Sequence, residues 1–133
     1  MNDFVYIPKD LIDQTLAIAA QQGKRQLEPL KSLSKEKAVP LNILEDQEVV
    51  NEAEVHEQAN DLWLCIEGEA LFTCGGNLVE PRKTDEKTGE WKGKSIEGGT
   101  DIVMKPGDWL WIPKGVPHLH RCEKTARLYI IKT

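Results

Sequence analysis

Pro106-Gly107-Asp108-Trp109-Leu110-Trp111-Ile112-Pro113-Lys114-Gly115-Val116-Pro117-His118 is the stretch on which the reading of this chain turns. Pro106-Gly107-Asp108 is turn chemistry: the proline ring fixes φ, and glycine opens the left-handed region to the backbone. Trp109 to Ile112 is a short, apolar, aromatic-rich run of the kind that forms a strand. Pro113 brings no backbone donor and ends the pairing, and Gly115 permits a tight bend. His118 therefore follows a rigid corner, where an imidazole is held steady.

A second informative segment lies upstream, Glu54-Val55-His56-Glu57-Gln58-Ala59-Asn60-Asp61-Leu62-Trp63-Leu64-Cys65-Ile66-Glu67-Gly68. The chain has three histidines, His56, His118 and His120, and all lie in these two segments. Side chains alternate along a strand, so Glu54 and His56 share one face, as do His118 and His120. If Asp61 faces inward, Trp63 and Cys65 do too, while Leu62, Leu64 and Ile66 face the other way. Both faces are then apolar, and the outer one needs a cover: an N-terminal helix, a loop or a second subunit.

The two segments resemble the paired motifs of the cupin superfamily. The later motif, G-x5-P-x-G-x2-H, is filled by Gly107, Pro113, Gly115 and His118. The Asn that follows in the family is Cys122 here. The earlier motif, G-x5-H-x-H-x3–4-E-x6-G, can be counted back from Gly68. It puts Asp61 at the Glu position, His56 at the second His, Glu54 at the first His and Glu48 at the opening Gly. Three of these positions depart from the family pattern. The resemblance runs from Glu54 to His118. It implies an all-β cupin double-stranded β-helix (jelly-roll) barrel, here with an N-terminal helical arm, and a metal site in the cup.

With 133 residues the chain has room for one domain with a real core. The expected division is residues 1–38, a helix and a wrapping loop, and residues 39–133, the barrel. Pro8 to Gln22 reads as a helix: proline suits its entry, Leu11, Ile12, Leu16 and Ile18 form an apolar stripe, and Gly23 is a stop signal. Lys24 to Lys37 is polar and reads as a solvated loop. Beyond Val39 short strand candidates alternate with turns, at residues 40–44, 48–56, 61–66, 70–74, 77–81, 94–97, 101–104, 109–112, 117–122 and 127–131. Arg82 to Lys92 is charged and reads as a mobile hairpin tip between the motifs, with Trp91 pinning one side.

Net charge is −5, which argues against a general nucleic-acid or anionic-membrane binder. No apolar run approaches a membrane span, and Met1-Asn2-Asp3-Phe4 is unlike a secretory signal. Cys65, Cys74 and Cys122 are an odd set without C-x-x-C spacing. They fit reduced thiols in a cytoplasmic protein. The two-faced apolarity and the N-terminal arm point to a homodimer.

A cup that brings the motif strands together would gather Glu54, His56, Asp61 and His118. Two imidazoles with one or two carboxylates suit a divalent metal such as iron, manganese, zinc or nickel. Each residue also has an ordinary alternative. His118 could bond backbone at its corner, and His56 could make a polar contact on its strand. Asp61 could be a turn residue, and Glu54 a surface carboxylate. Under the metal reading Glu54 is a fourth ligand or a catalytic base, and Trp63 and His120 line the pocket, His120 outside the ligand set. The expected partner is a small, oxygen-rich chelating molecule, handled by oxygenase, isomerase or lyase chemistry. The alternative is a non-catalytic cup that binds or senses a sugar or organic acid, with or without metal.

Overall fold

The computed structural model describes residues 3–133. Two short helices, α1 (Lys9–Leu16) and α2 (Leu30–Lys37), flank a first strand, β1 (Gly23–Gln26). The strands that follow are β2 (Leu41–Val50), β3 (Ala53–His56), β4 (Asp61–Glu67), β5 (Ala70–Cys74), β6 (Asn77–Val79), β7 (Arg82–Asp85), β8 (Glu90–Gly93), β9 (Ser95–Glu97), β10 (Thr100–Met104), β11 (Trp109–Ile112) and β12 (His118–Lys132). All described pairings are antiparallel.

β12 is the spine of the fold. One of its edges pairs with β2 and, at His118, with β3; the other pairs with β5 and then with β4. Its register against β2 shifts between Cys122 and Thr125, so the sheet bends there. Glu48 lies opposite that shift with φ +46°. It stands where the cupin motif has glycine, and the left-handed backbone is kept although the residue is not. The bent sheet curls into an all-β cupin jelly-roll cup with the helical arm on its outside.

Inside the cup Leu44, Trp63, Phe72, Met104, Leu128 and Ile130 form the main core. Asp61, Trp63 and Cys65 all point inward along β4, as alternation requires, with Leu62, Leu64 and Ile66 on the outer face. Leu27, Leu30 and Ile43 form a second core between the outer face and the arm, and Ile66 and Tyr129 pack against it.

The arm differs from expectation in two places. The first helix ends at Leu16, well short of Gln22, because Arg127 takes the carbonyls of Leu16 and Ile18 and Arg25 takes that of Ala19. The segment read as a polar loop holds β1 and α2 instead. β1 pairs with β2, so a polar strand is stabilised by backbone bonds and by Arg25 on the buried Glu45. α2 buries only Leu30 and Ser34, which leaves its composition mostly polar. The strand expected at 48–56 is broken at Asn51, whose side chain turns to Asp46 and His120. The two strands expected at 117–122 and 127–131 are one, β12. Residues 82–92 form a hairpin as expected, but β8 is a full neighbour of β3. Cys65, Cys74 and Cys122 are free thiols, and burial pushes the Cys65 thiol up to about 11. Among the described residues no helix is long and apolar enough to cross a membrane.

Candidate metal centre

Two backbone bonds bring the motifs together. Gly107 N–H donates to the Cys65 carbonyl (2.9 Å), and Gly115 N–H donates to the His56 carbonyl (2.8 Å). Gly107 (φ +94°) and Gly115 (φ +85°) adopt backbone conformations that other residues resist. The Gly115 corner thus docks directly on the strand that carries His56, and His118 pairs across from Glu54. The His56 and His118 ring centroids are 4.9 Å apart.

The environment of each ring fixes its tautomer. His118 Nδ1 lies 3.0 Å from the Val116 carbonyl, and His56 Nδ1 lies 2.6 Å from Glu90 Oε1. A carbonyl and a carboxylate only accept, so both Nδ1 atoms carry the proton. In the neutral rings both Nε2 atoms then offer lone pairs. Each Nε2 is 3.4 Å from Asp61 Oδ2, and His56 Nε2 is 3.6 Å from Glu54 Oε2. Asp61 Oδ2 is buried and has no hydrogen-bond partner among the described residues. With both rings neutral, two nitrogen lone pairs and the Asp61 Oδ2 lone pairs converge on one place, and Lys132 is a donor beside them.

Donors of these kinds suit a divalent metal. Donors about 2.1 Å from such an ion lie about 3.0 Å apart at right angles and about 3.4 Å apart at tetrahedral angles. The ligand atoms of Glu54, His56 and His118 all lie within 4.8 Å of one another. The residues present fit the ion.

Lysines balance the carboxylates. Lys132 lies opposite Asp61 in register; its ammonium donates to Asp61 Oδ1 (2.8 Å) and to His56 Nε2 (3.4 Å). Lys24 reaches Glu54 Oε1 at 3.4 Å. Burial pushes the Asp61 carboxyl upward, but the two imidazoles, when protonated at Nε2 in the metal-free protein, and Lys132 outweigh it and hold the group well below the usual carboxylate range. Glu54 also ends lowered: burial raises it, and Lys24 and the nearby imidazoles bring it down. Burial lowers His56, and the Asp61 and Glu90 carboxylates raise it overall.

The four expected ligand residues are thus brought to one place. Trp63 and His120 lie one alternation step further along the same inward faces. There they pack with Phe72, each pair of centroids 5.2 Å apart, and His120 Nδ1 is held by Asp46 and Asn51. Sequence reasoning missed Glu90, Lys24 and Lys132. No motif marks them, and their roles come from register between strands distant in sequence. A cleft of about 1060 Å³ follows the β12 bend, past Gly68 and Thr125, and contains none of these residues.

A sequence profile described as the JmjC domain matches residues 54–132. The chain belongs to the JmjC domain family. The matched segment takes in Glu54, His56, Asp61, His118 and Lys132. Solved structures agree on the fold of this JmjC chain. HppE with Fe(II) is 14% identical over 100% of this chain and 62% of its own, with a TM-score of 0.55. HppE with Co(II) and substrate is 11% identical over 87% and 58%, at 0.52. The ycfD protein of E. coli is 16% identical over 99% and 47%, at 0.56. The chain therefore spans less than two thirds of each of these proteins. At such identities the likeness carries the fold alone. No curated protein matches the sequence.

Proposed function

We propose that this JmjC-family cupin is a divalent-metal-dependent enzyme acting on a small, oxygen-rich chelating molecule. His56, His118 and Asp61 hold the ion, with Glu54 as a fourth ligand or as a base beside it. The observation that carries the proposal is Asp61 Oδ2, a buried carboxylate oxygen unpartnered among the described residues and 3.4 Å from two imidazole Nε2 atoms, while each ring's Nδ1 proton is committed elsewhere. Iron is the first candidate, supported by the Fe(II) and Co(II) forms in which HppE was solved; manganese, zinc and nickel suit the same donors. When bound, the metal supplies Lewis acidity and, if it is iron, redox chemistry. The chain's own groups do the rest. Glu54, with its side chain 20% exposed, can take or hold a proton at the mouth of the site, and the Lys24 and Lys132 ammonium groups favour an anionic ligand. Trp63 and His120 form the floor beneath.

The alternative, a metal-free cup that binds a sugar or organic acid, has one observation in its favour. Lys132 already places a cation against Asp61 and His56. Metal content separates the two readings. Chelator-stripped protein, titrated anaerobically with Fe(II) and separately with Mn(II), Co(II), Ni(II) and Zn(II), is expected to bind one equivalent, and His118→Ala is expected to abolish it. If none of these ions binds with an affinity that His118→Ala diminishes, the metal reading fails and the metal-free cup replaces it.

A further inference from the structure

We propose that Glu90, on the hairpin inserted between the two motifs, is a positioning residue that sets how tightly the metal centre holds its ion. The inference rests on the metal reading above and adds a residue to it. β8 runs beside β3 with Glu90 directly opposite His56, and in an antiparallel pair opposed side chains stand on the same face. Its carboxylate reaches His56 Nδ1 at 2.6 Å, which fixes the ring rotation and turns Nε2 toward Glu54 and Asp61.

The two imidazoles are held by different means. His118 is oriented by Val116, in its own corner, through a neutral carbonyl. His56 has no such local partner and is oriented by a charged group that arrives from a separate hairpin. A carboxylate on the far nitrogen of a ligating histidine fixes its tautomer and raises its basicity. Losing such a partner typically costs 10- to 100-fold in metal affinity.

The hairpin is built to deliver that carboxylate. Trp91 Nε1–H donates to Glu57 Oε1 (2.5 Å), and the Lys83 ammonium sits 5.6 Å above the Trp91 ring. Glu57 N–H donates to the Gly89 carbonyl (3.2 Å). Gly89 has φ +67°, and a Cβ there would fall 2.4 Å from Glu57 Oε2, so the turn closes against the strand that carries His56. These contacts pin the hairpin on either side of Glu90. An exposed, charged insert thereby becomes part of the site.

Co(II) titration of chelator-stripped protein tests this, with wild type, Glu90→Ala, Glu90→Gln and Glu86→Ala compared. Glu86 is on the same hairpin and pairs with Lys83, so its variant controls for a lost charge without touching His56. Glu90→Ala is expected to weaken Co(II) about 10- to 100-fold and to change the ligand-field spectrum of the bound ion. Glu90→Gln is expected to fall between Ala and wild type, because its amide oxygen still accepts from Nδ1, and it serves as the test should Glu90→Ala not fold. Glu86→Ala is expected to match wild type. In the metal-free protein the His56 Nδ1–H proton resonance should be lost in Glu90→Ala and kept in Glu86→Ala. If wild type binds Co(II) and both Glu90 variants bind within threefold of it, the role of Glu90 is overturned and the metal centre stands. Equal weakening in Glu86→Ala also overturns it, because the effect is then one of charge alone. If wild type binds no Co(II), the same comparison is made with whichever of Fe(II), Mn(II), Ni(II) and Zn(II) it binds; if it binds none of the five, the metal reading falls first and the Glu90 role with it.

Discussion

Asp61 and Glu54 are both carboxylates beside the same imidazoles, yet their surroundings separate them. Asp61 is 1% exposed and sits between two Nε2 atoms, whereas the Glu54 side chain is 20% exposed and faces Lys24. Asp61→Asn keeps the shape and removes the charge, so it is expected to weaken metal binding sharply in the same titration. Glu54→Gln is expected to retain metal; if activity is lost while metal stays, Glu54 is the base, and if metal is lost, it is a ligand. Glu48 offers a test remote from the chemistry. Its φ of +46° costs a side chain about 1–2 kcal/mol. Glycine there relieves that strain and adds about 0.5–1 kcal/mol of chain entropy cost. Glu48→Gly is therefore expected to be neutral or stabilising by up to about 1.5 kcal/mol in denaturant unfolding, and a clear loss of stability would refute the strain argument.

At the scale of elements, the arm is clasped to the barrel by charge. Glu45 on β2 is fully buried and bonded to Arg127 on β12, to Arg25 on β1 and to the Gln21 N–H. Arg127 in turn caps the carbonyls of Leu16 and Ile18 at the end of α1. Removing one member of a buried pair leaves the other charge uncompensated, so Glu45→Gln is expected to cost about 3–5 kcal/mol. Burial raises the Glu45 carboxyl, but the Gln21 N–H and the two arginines bring it below its ordinary value of 4.5. A depressed carboxylate contributes stability that is complete at neutral pH and is lost as the pH falls below 4.5 and through its folded value. Wild type should accordingly lose stability in that acid window, and Glu45→Gln should show a flatter profile there. Chemical denaturation across pH 3–7 checks both. Parallel curves would show that Glu45 does not set the acid limit.

For the whole molecule, the arm covers only part of the outer sheet face. Ile43, Ile66 and Tyr129 lie under it, but Trp109 and Trp111 on β11 remain 61% and 51% exposed, and Phe4 and Tyr6 of the arm 87% and 78%. A hollow of about 330 Å³ joins Ile7 and Ile12 of the arm to Trp109. At 150–250 Å² for each aromatic side chain, the four expose about 600 Å². A twofold contact that covered all four on both copies would bury about 1,200 Å², the lower edge of a stable interface. Among the described strands β11 pairs only with β4, so its free edge lies beside Trp109 and Trp111. We propose that a second copy of the chain covers it. Light scattering at micromolar concentration is expected to give about twice 15.0 kDa, and Trp109→Glu combined with Trp111→Glu is expected to give the monomer with its fold intact. A monomeric wild type would exclude the dimer.

By itself the sequence, through its resemblance to the cupin motifs, pointed to the cup and named the residues of the candidate site. Gly107, Pro113, Gly115 and His118 are legible because each acts through its own backbone or side-chain chemistry, which a neighbour in sequence can reveal. Strand alternation likewise put Asp61, Trp63 and Cys65 on one face before any partner was known. Tertiary structure alone decided the rest. β1 and α2 read as loop because β1 is held by pairing with β2 and α2 by a single buried leucine and serine, and neither leaves a periodic apolar trace. Helix α1 stops early because an arginine more than a hundred residues away takes its carbonyls. Glu90, Lys24 and Lys132 carry no local signal at all. Their positions follow from how β8, β1 and β12 align with their neighbours, and register is a property of paired strands rather than of any one segment.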